Sequence, residues 1–216
     1  MDTPTFKQMR GALRPVEQLG CAVGAAFGET EIGRRLTQRY REHLVIPNLA
    51  RMLGPRGHVE GLGNVPTDRS FILVANHRSY FDFYAVSAMA FPKLGLRPFL
   101  FCPVRSSFFY DKPVGIAMNV LISGNAMYPP VFRDARSRQL NRYVVDRSAE
   151  LLDKDPRAVI AIHPEGKRNP QDDPYSFLPP KRGVGSIGLA SQAPIVPVFV
   201  NGLPRSFGAL AKERLS

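Results

Sequence analysis

The stretch Phe71–Phe91, FILVANHRSYFDFYAVSAMAF, decides the fold. It begins with a short apolar run, Phe71–Ala75, which predicts a buried strand. Polar residues follow, and Asp82–Phe91 then has the length and composition of a helix. A strand that passes through a polar turn into a helix is the repeating unit of α/β proteins with parallel sheets.

The same alternation continues along the chain. The other predicted strands are Pro98–Cys102, Met127–Phe132, Ala158–Ile162 and Pro194–Val200. The predicted helices between them are Phe108–Ile122, Asp134–Lys154 and Gly183–Gln192. We therefore predict an α/β fold with a mainly parallel central sheet flanked by helices, in a domain over residues 57–216. Residues 1–56 contain no strand-like run and predict an N-terminal helical segment.

This N-terminal segment contains an amphipathic pattern. In Thr30–Val45, apolar residues recur four apart, at Ile32, Leu36, Tyr40 and Leu44. The other side of this predicted helix carries basic residues, which include Arg34, Arg35 and Arg41. Pro47 is expected to interrupt the helix before a short segment ending near Leu53. Two interpretations stay open: the stripe packs on the core, or the helix lies on an anionic membrane.

Composition is that of a folded globular chain with a large positive charge. Of 216 residues, 44% are apolar, and 29 Lys and Arg against 18 Asp and Glu give a net charge of +11. A surplus of this size predicts an anionic partner. Cys21 and Cys102 lie far apart in apolar surroundings, which argues against a disulfide framework or a CxxC site and favours a reducing compartment.

Secretion and membrane spanning are not expected. The N-terminus, MDTPTFKQMRGALRP, has charge and proline where a signal peptide needs an apolar core. The uncharged window Pro113–Phe132 has the length of a membrane span, but Asn119, Asn125 and Pro129 would place polar groups and a helix breaker in hydrocarbon. We predict a buried helix followed by a strand there.

The segment Asn76–Asp82, NHRSYFD, places an imidazole after a predicted strand and a carboxylate five residues later. A tight turn would bring His77 and Asp82 into contact. A carboxylate that accepts from one imidazole nitrogen leaves the other nitrogen as a base. The alternative is that Asp82 caps the helix and His77 is a hydrogen-bonded loop residue. The spacing alone leaves both interpretations open.

A second cluster, His163–Arg168 or HPEGKR, follows the predicted strand Ala158–Ile162. Gly166 lets the backbone approach an anion closely, and Lys167 and Arg168 suit a phosphate. The alternative is a solvated loop.

Two further cations favour the phosphate interpretation. Lys181 stands just before a predicted helix that begins with a glycine, and Arg133 follows another predicted strand. Because function gathers at the carboxyl ends of parallel strands, we expect these cations and His77 to converge at one edge of the sheet.

Motifs of the common covalent hydrolases, zinc peptidases and P-loop enzymes do not occur in the sequence. His43, His58 and His163 lack ligand spacing, so no metal site is expected. A basic module that binds nucleic acid or anionic lipid without catalysis remains an alternative. Aromatic residues interleaved with basic ones are not obvious, so nucleic acid is not an expected partner.

Taken together, five segments resemble, in order and spacing, the glycerophospholipid acyltransferase family. Its best-known members are the lysophosphatidic acid acyltransferases. The segments are NHRSYFD (Asn76–Asp82), the arginine of PPVFRD (Arg133), PEGKR (Pro164–Arg168), PKRGVG (Pro180–Gly185) and PIVPV (Pro194–Val198). The resemblance extends from Val59 to Asn201.

The resemblance implies that His77 is the general base and that Asp82 orients it. The implied ligands of the acceptor phosphate are Arg133, Glu165, Gly166, Lys167, Arg168 and Lys181. The implied reaction moves a fatty acyl group from acyl-CoA or acyl-carrier protein to the hydroxyl of a lysophosphatidic acid-like acceptor, without another cofactor. The chain would bind peripherally at the cytoplasmic face of the membrane. Glycerol 3-phosphate or another polar lyso-lipid is the alternative acceptor.

Three positions depart from the family pattern and leave the identity of the acceptor open. Lys167 and Asn169 stand where the family usually has Thr and Ser, and Phe132 stands where an Asp commonly precedes the arginine. The chain also ends soon after the last motif, where relatives usually continue. We therefore expect a short member of the family or a truncated chain.

Overall fold

The structure, a computed structural model, describes residues 10–53, 57–133, 140–203 and 205. Its central sheet has four strands in the order β2-β5-β1-β6, and each neighbouring pair is parallel. The strands are β1 (Phe71–Ala75), β2 (Phe99–Phe101), β5 (Ala158–Ile162) and β6 (Ile195–Val198). This sheet confirms the predicted α/β fold with a parallel central sheet.

The two inner strands are nearly continuous aliphatic runs because both faces of the sheet are covered. On one face, Ile72 and Ile160 pack with Leu151 and Ile187. These two partners come from α6 (Asn141–Lys154) and α7 (Gly183–Ser191).

The opposite face of the sheet is covered by another helix. There, Phe71 and Leu73 pack with Phe83 and Val86 of α4 (Asp82–Met89). A one-residue shift in register would exchange the side chains on the two faces, so each layer of helices would meet the wrong set.

The strand register brings the residues that follow β1 and β5 side by side. Val74 pairs with Ile162, and Ala75 pairs with Val198 of the edge strand. Residues 76–77 and 163–168 therefore leave the sheet at the same edge, as the sequence predicted.

The predicted strand Met127–Phe132 is much shorter in the structure and belongs to another sheet. Only Pro130–Val131 forms a strand, β4, which pairs with β3 (Val104–Arg105). Prolines at positions 129 and 130 lack the N–H groups that a longer ladder needs.

The helix expected over Phe108–Ile122 begins later, as α5 (Pro113–Leu121). Pro113 suits the first turn of a helix, and Phe108 has a φ of 82°, which a helix does not allow. Val114 and Leu121 are exposed, so this helix is only partly buried, contrary to the expectation.

For the predicted helix Asp134–Lys154, residues 134–139 lie outside the described residues. Short helical turns occur at Arg10–Ala12, Leu62–Asn64 and Pro92–Leu94, whereas Ser106–Phe109 is a turn with non-helical dihedral angles at Ser107 and Phe108.

The N-terminal segment is helical, as predicted. Its helices are α1 (Pro15–Glu29), α2 (Glu31–Tyr40) and α3 (Ile46–Leu53), and a π-helical turn, Arg41–Val45, joins the last two. The α-helical ladder is interrupted just before Pro47, as predicted, and the second short helix ends at Leu53. The interruption is a π-helical turn, so the chain remains helical through it.

Helix α1 packs through small residues, which its amphipathic pattern does not reveal. Its buried glycines face two buried tyrosines, Tyr110 and Tyr128. A Cβ atom at Gly24 would lie 2.9 Å from the Tyr128 ring. The close approach of α1 therefore depends on glycine at this position.

The apolar stripe of the N-terminal segment faces away from the core. Ile32, Leu36 and Leu44 are 74%, 55% and 49% exposed. Tyr40, the fourth member of the predicted stripe, is half-buried and donates to the Leu121 carbonyl. The interpretation that the stripe packs on the core is therefore wrong for its three aliphatic members.

Two of the expected surface cations turn inward instead. Arg41 is buried and donates to the Gly124 carbonyl at 2.9 Å, and burial lowers its pKa to about 10. Arg34 is half-buried and lies over the Phe99 ring. Arg35 remains on the surface, as expected.

Within the described ranges, no helix combines the length and the apolar character that crossing a bilayer requires.

Candidate active site

His77 and Asp82 meet where β1 ends and α4 begins. His77 Nδ1 lies 3.0 Å from Asp82 Oδ2. The Asp82 side chain is 1% exposed, whereas the His77 side chain is 20% exposed. The carboxylate is therefore buried behind the imidazole, and the imidazole has access to solvent.

Asp82 contacts His77, as one interpretation predicted, but it does not cap the helix, because the N-cap residue of α4 is Phe81. The Asp82 side chain instead organises the loop before the helix. Its carboxylate accepts from the backbone N–H groups of Arg78 and Ser79 at 3.0 Å, which shapes the turn before α4. An ionised carboxylate only accepts, so the bond to the imidazole places the proton on His77 Nδ1. Nε2 then remains as the free base.

The second motif holds the backbone of His77 on both sides. Glu165 Oε1 accepts from the His77 N–H at 2.9 Å, and the Asn169 N–H donates to the His77 carbonyl at 2.7 Å. Glu165 Oε2 accepts from the Leu178 N–H at 3.0 Å.

Glu165 therefore acts as a bridge between loops. Its side chain is buried, and both oxygens are occupied by backbone donors. A buried carboxylate also repels phosphate. This placement does not fit the phosphate-binding role that the family resemblance implied for Glu165.

Arg133, Gly166 and Lys181 come together, although they lie far apart in the sequence. The Arg133 guanidinium donates to the Gly166 carbonyl at 2.5 Å, and the Lys181 N–H donates to the Pro164 carbonyl at 2.8 Å. Gly166 has a φ of 66°, and a Cβ atom there would lie 3.4 Å from Arg133 Nη2 and 3.6 Å from Lys181 Cγ. We call this group the cationic turn.

Arg168 and Lys167 are placed differently. The Arg168 guanidinium lies 3.9 Å from the centroid of the Tyr80 ring, donates to the Tyr80 hydroxyl, and donates to the Arg205 carbonyl at 3.0 Å. It therefore links the two motifs as well as carrying charge. Lys167 is exposed to solvent. For both residues, phosphate binding stays a prediction.

Two residues of the site lie in the predicted motifs, but the sequence analysis gave them no role of their own. The Asn76 side chain is buried and bonds both backbone groups of Val200, at 2.8 and 2.7 Å, which ties the ends of β1 and β6 together. His163 stacks on His77 with the ring centroids 3.9 Å apart. Pairing β1 with β5 would have indicated this contact, because His163 directly follows β5.

The contact between His77 and His163 places two histidines together at the site. His163 lacks ligand spacing in the sequence, but the fold brings its ring beside that of His77. Ligand atoms of His77, Asp82 and His163 lie within 4.8 Å of one another. However, the two imidazole planes differ by only 9°, so their in-plane lone pairs do not converge on one point. The geometry suits proton transfer rather than a metal cage.

The described site thus combines the His77–Asp82 pair with the cationic turn. Glu165 connects them, because its carboxylate holds the backbone of His77 and its neighbour Gly166 belongs to the cationic turn. Such an arrangement can deprotonate a hydroxyl while a phosphate on the same molecule is held close by.

The comparisons with known proteins agree with this chemistry. The family profile described as Acyltransferase matches residues 56–201, which include every site residue described above except Arg205. Comparisons with curated proteins and with solved structures gave no match. A profile match over more than half of the chain, together with the observed dyad, assigns the family. The chain belongs to the acyltransferases of the glycerophospholipid acyltransferase family.

Proposed function

We propose that this acyltransferase moves a fatty acyl group from acyl-CoA or acyl-carrier protein to the hydroxyl of a lysophosphatidic acid-like acceptor. The observation that carries the proposal is the link through Glu165 between the base and the cationic turn. Family membership supports the acyl transfer, and the cations support an acceptor with a phosphate.

The proposed reaction is a direct transfer without an acyl-enzyme. His77 Nε2 takes the proton of the acceptor hydroxyl while that oxygen attacks the thioester carbon. Asp82 stabilises the imidazolium that forms. The tetrahedral intermediate then expels the thiolate, which takes the proton from His77, so the products are an ester and a free thiol.

The cationic turn contributes by holding the acceptor in place. Binding a phosphate at Arg133 and Lys181 fixes the distance of the hydroxyl from His77. Intramolecular positioning of this kind can lower a barrier by several kcal/mol, on the order of 7–11 in the most favourable cases. A phosphate is therefore expected to raise the rate of transfer as well as the affinity.

A cavity beside α4 supports an acyl-bearing substrate. Its volume is about 400 Å³, and it lies between the N-terminal helices and α4. Its apolar walls include Phe91, Leu96 and Leu100. Helix α4 also begins at Asp82, so one element borders both the dyad and the cavity.

The direct test measures thiol release from palmitoyl-CoA with matched acceptors. We expect release with lysophosphatidic acid and much less with monoacylglycerol, which lacks only the phosphate. Arg133→Ala should raise the KM of the phosphate acceptor ~10–100-fold, because a charge-assisted hydrogen bond contributes roughly 1.5–3 kcal/mol. Arg142→Ala, on the exposed face of α6, is the control.

Each other outcome has a defined meaning. A preference for glycerol 3-phosphate would establish the alternative acceptor. Equal rates with and without the phosphate would contradict the role of the cationic turn. If Arg133→Ala affected both substrates equally, the cations would instead serve the phosphates of the CoA donor.

We further propose that the chain binds the anionic cytoplasmic surface of a membrane peripherally. The exposed stripe Ile32, Leu36 and Leu44 supports this location, and Tyr40 donates to the Leu121 carbonyl, which brings the exposed Leu121 beside the stripe. Arg35 and Arg39 of the same helix are exposed as well. An exposed apolar stripe on a helix that also carries exposed basic residues is typical of helices that lie in a membrane interface.

Vesicle co-sedimentation tests this location with the full chain. We expect binding to anionic vesicles that weakens as salt rises, because the Debye length falls from ~10 Å at about 0.1 M to ~3 Å at about 1 M. The triple variant Ile32→Ser, Leu36→Ser, Leu44→Ser should lose the salt-resistant part of binding. Leu189→Ser, at a residue 78% exposed elsewhere, is the control. Equal binding by the triple variant would rule out the stripe as the anchor.

A further inference from the structure

Three aromatic rings stack face to face beside the base. His163 lies between His77 and Phe83, with a distance of 3.9 Å between ring centroids on each side. The planes of the two imidazoles differ by 9°, and those of His163 and Phe83 differ by 19°. His163 therefore covers one face of the base.

The hydrogen bond to Asp82 alone does not fix the orientation of the base. It restrains the position of His77 Nδ1 but still tolerates small rotations about the side-chain dihedral angles χ1 and χ2, which tilt the ring. A tilt moves Nε2 relative to the acceptor hydroxyl. A flat ring in contact with the imidazole face removes this freedom, because tilting would cost the stacking contact.

His163 is itself held in place from two sides. Its Nδ1 lies 3.0 Å from the Ala75 carbonyl oxygen, which can only accept, so Nδ1 carries the proton. Phe83 covers the opposite face of its ring. Phe83 follows Asp82 in α4. The first turn of this helix therefore supplies both the carboxylate that contacts the edge of the His77 ring and the phenyl ring that stacks on His163.

His163 also remains uncharged. Burial, with a smaller contribution from repulsion by His77, lowers the pKa of His163 to about 3. A neutral ring does not repel the imidazolium that forms on His77 during the reaction. Asp82, at the edge of the stack, contacts His77 and favours that imidazolium.

We propose that His163 is a positioning residue for acyl transfer: its ring, held between His77 and Phe83, fixes the plane of the His77 imidazole so that Nε2 faces the acceptor hydroxyl. The inference rests on the proposed function, since it requires His77 to act as the base. An error of ~1 Å in the placement of a reacting group can lower a rate about 10²-fold.

The test compares two apolar replacements of similar size. His163→Phe keeps a flat ring, and His163→Leu does not. We expect His163→Leu to lower kcat ~10–100-fold and to change the acceptor KM by less than about threefold. His163→Phe should keep kcat within about threefold of wild type. His58→Ala, at an exposed histidine, is the control.

A second readout separates positioning from a loss of folding. The chain has four histidines, so the Hε1 signals in an NMR spectrum can be assigned by single substitutions. A parallel ring at 3.9 Å shifts the His77 signal upfield through its ring current. We expect this shift to persist in His163→Phe and to disappear in His163→Leu.

Wild-type kcat in a folded His163→Leu variant would overturn the proposal. So would a His163→Phe variant as slow as His163→Leu. If His163→Leu does not fold, His163→Phe decides alone: near-wild-type kcat with the upfield shift supports the proposal, and loss of either one refutes it. Failure of wild-type protein to release thiol would instead contradict the proposed function, and the NMR comparison would still test the stack.

Discussion

His77→Ala is expected to reduce acyl transfer by ~10²–10⁴-fold, because it removes the group that takes the proton from the acceptor hydroxyl. The effect should fall on kcat. His77 contacts the rest of the site through its backbone as well as its ring, and the alanine variant keeps the backbone bonds to Glu165 and Asn169. The measurement is thiol release from palmitoyl-CoA at saturating lysophosphatidic acid.

His58→Ala is the matched control for this prediction. His58 is exposed and pairs with Glu60, so its loss should leave turnover unchanged. Circular dichroism and thermal melting should show that the His77→Ala variant retains its fold. Undiminished turnover in a folded His77→Ala variant would exclude His77 as the base.

Asp82→Asn is expected to be comparably severe, with a loss of roughly 10³–10⁴-fold in kcat by analogy with other His–carboxylate pairs. The substitution preserves the shape of the side chain but removes the charge that stabilises imidazolium. It also replaces one acceptor oxygen with a donor in a site where the backbone N–H groups of Arg78 and Ser79 both require acceptors. Transfer and thermal stability should both be measured.

The control here is Asp155→Asn. Asp155 is a partly buried carboxylate that also accepts from a backbone N–H, in this case of Arg157, before β5. Both variants lose a hydrogen-bonded charge, but only Asp82→Asn removes the partner of the base. A loss of only about twofold in Asp82→Asn would show that its carboxylate mainly shapes the turn rather than serving the base.

The central sheet was predictable because its strands are short, apolar and separated by polar turns. Phe71–Ala75 and Ala158–Ile162 form the predicted strands with the predicted bounds. The contact of His77 with Asp82 was predictable as one of two interpretations of their spacing. The sequence also predicted that His77 lies near the residues that follow β5, because the carboxyl ends of parallel strands share one edge of the sheet.

Other features depend on contacts between distant segments, which local patterns do not contain. Helix α1 packs through Gly20, Gly24 and Gly28, and glycines give no amphipathic signal. The inward turn of Arg41 depends on the Gly124 carbonyl, which lies far away in the chain. The stacking of His163 required knowledge that β1 and β5 are neighbours.

The neutral state of the half-buried His163 also couples the stability of the whole fold to acidity. The folded chain takes up a proton at His163 only near pH 3, whereas the same side chain in the unfolded chain does so near its ordinary value of 6.5. Between these values the unfolded state binds more protons, so acid shifts the equilibrium toward unfolding. The stabilisation of the folded state by neutral His163 is fully present above pH 6.5. As the pH falls below this value, the free energy of unfolding decreases by up to about 1.4 kcal/mol per pH unit. A side chain that orients the base therefore also makes the folded protein sensitive to mild acid.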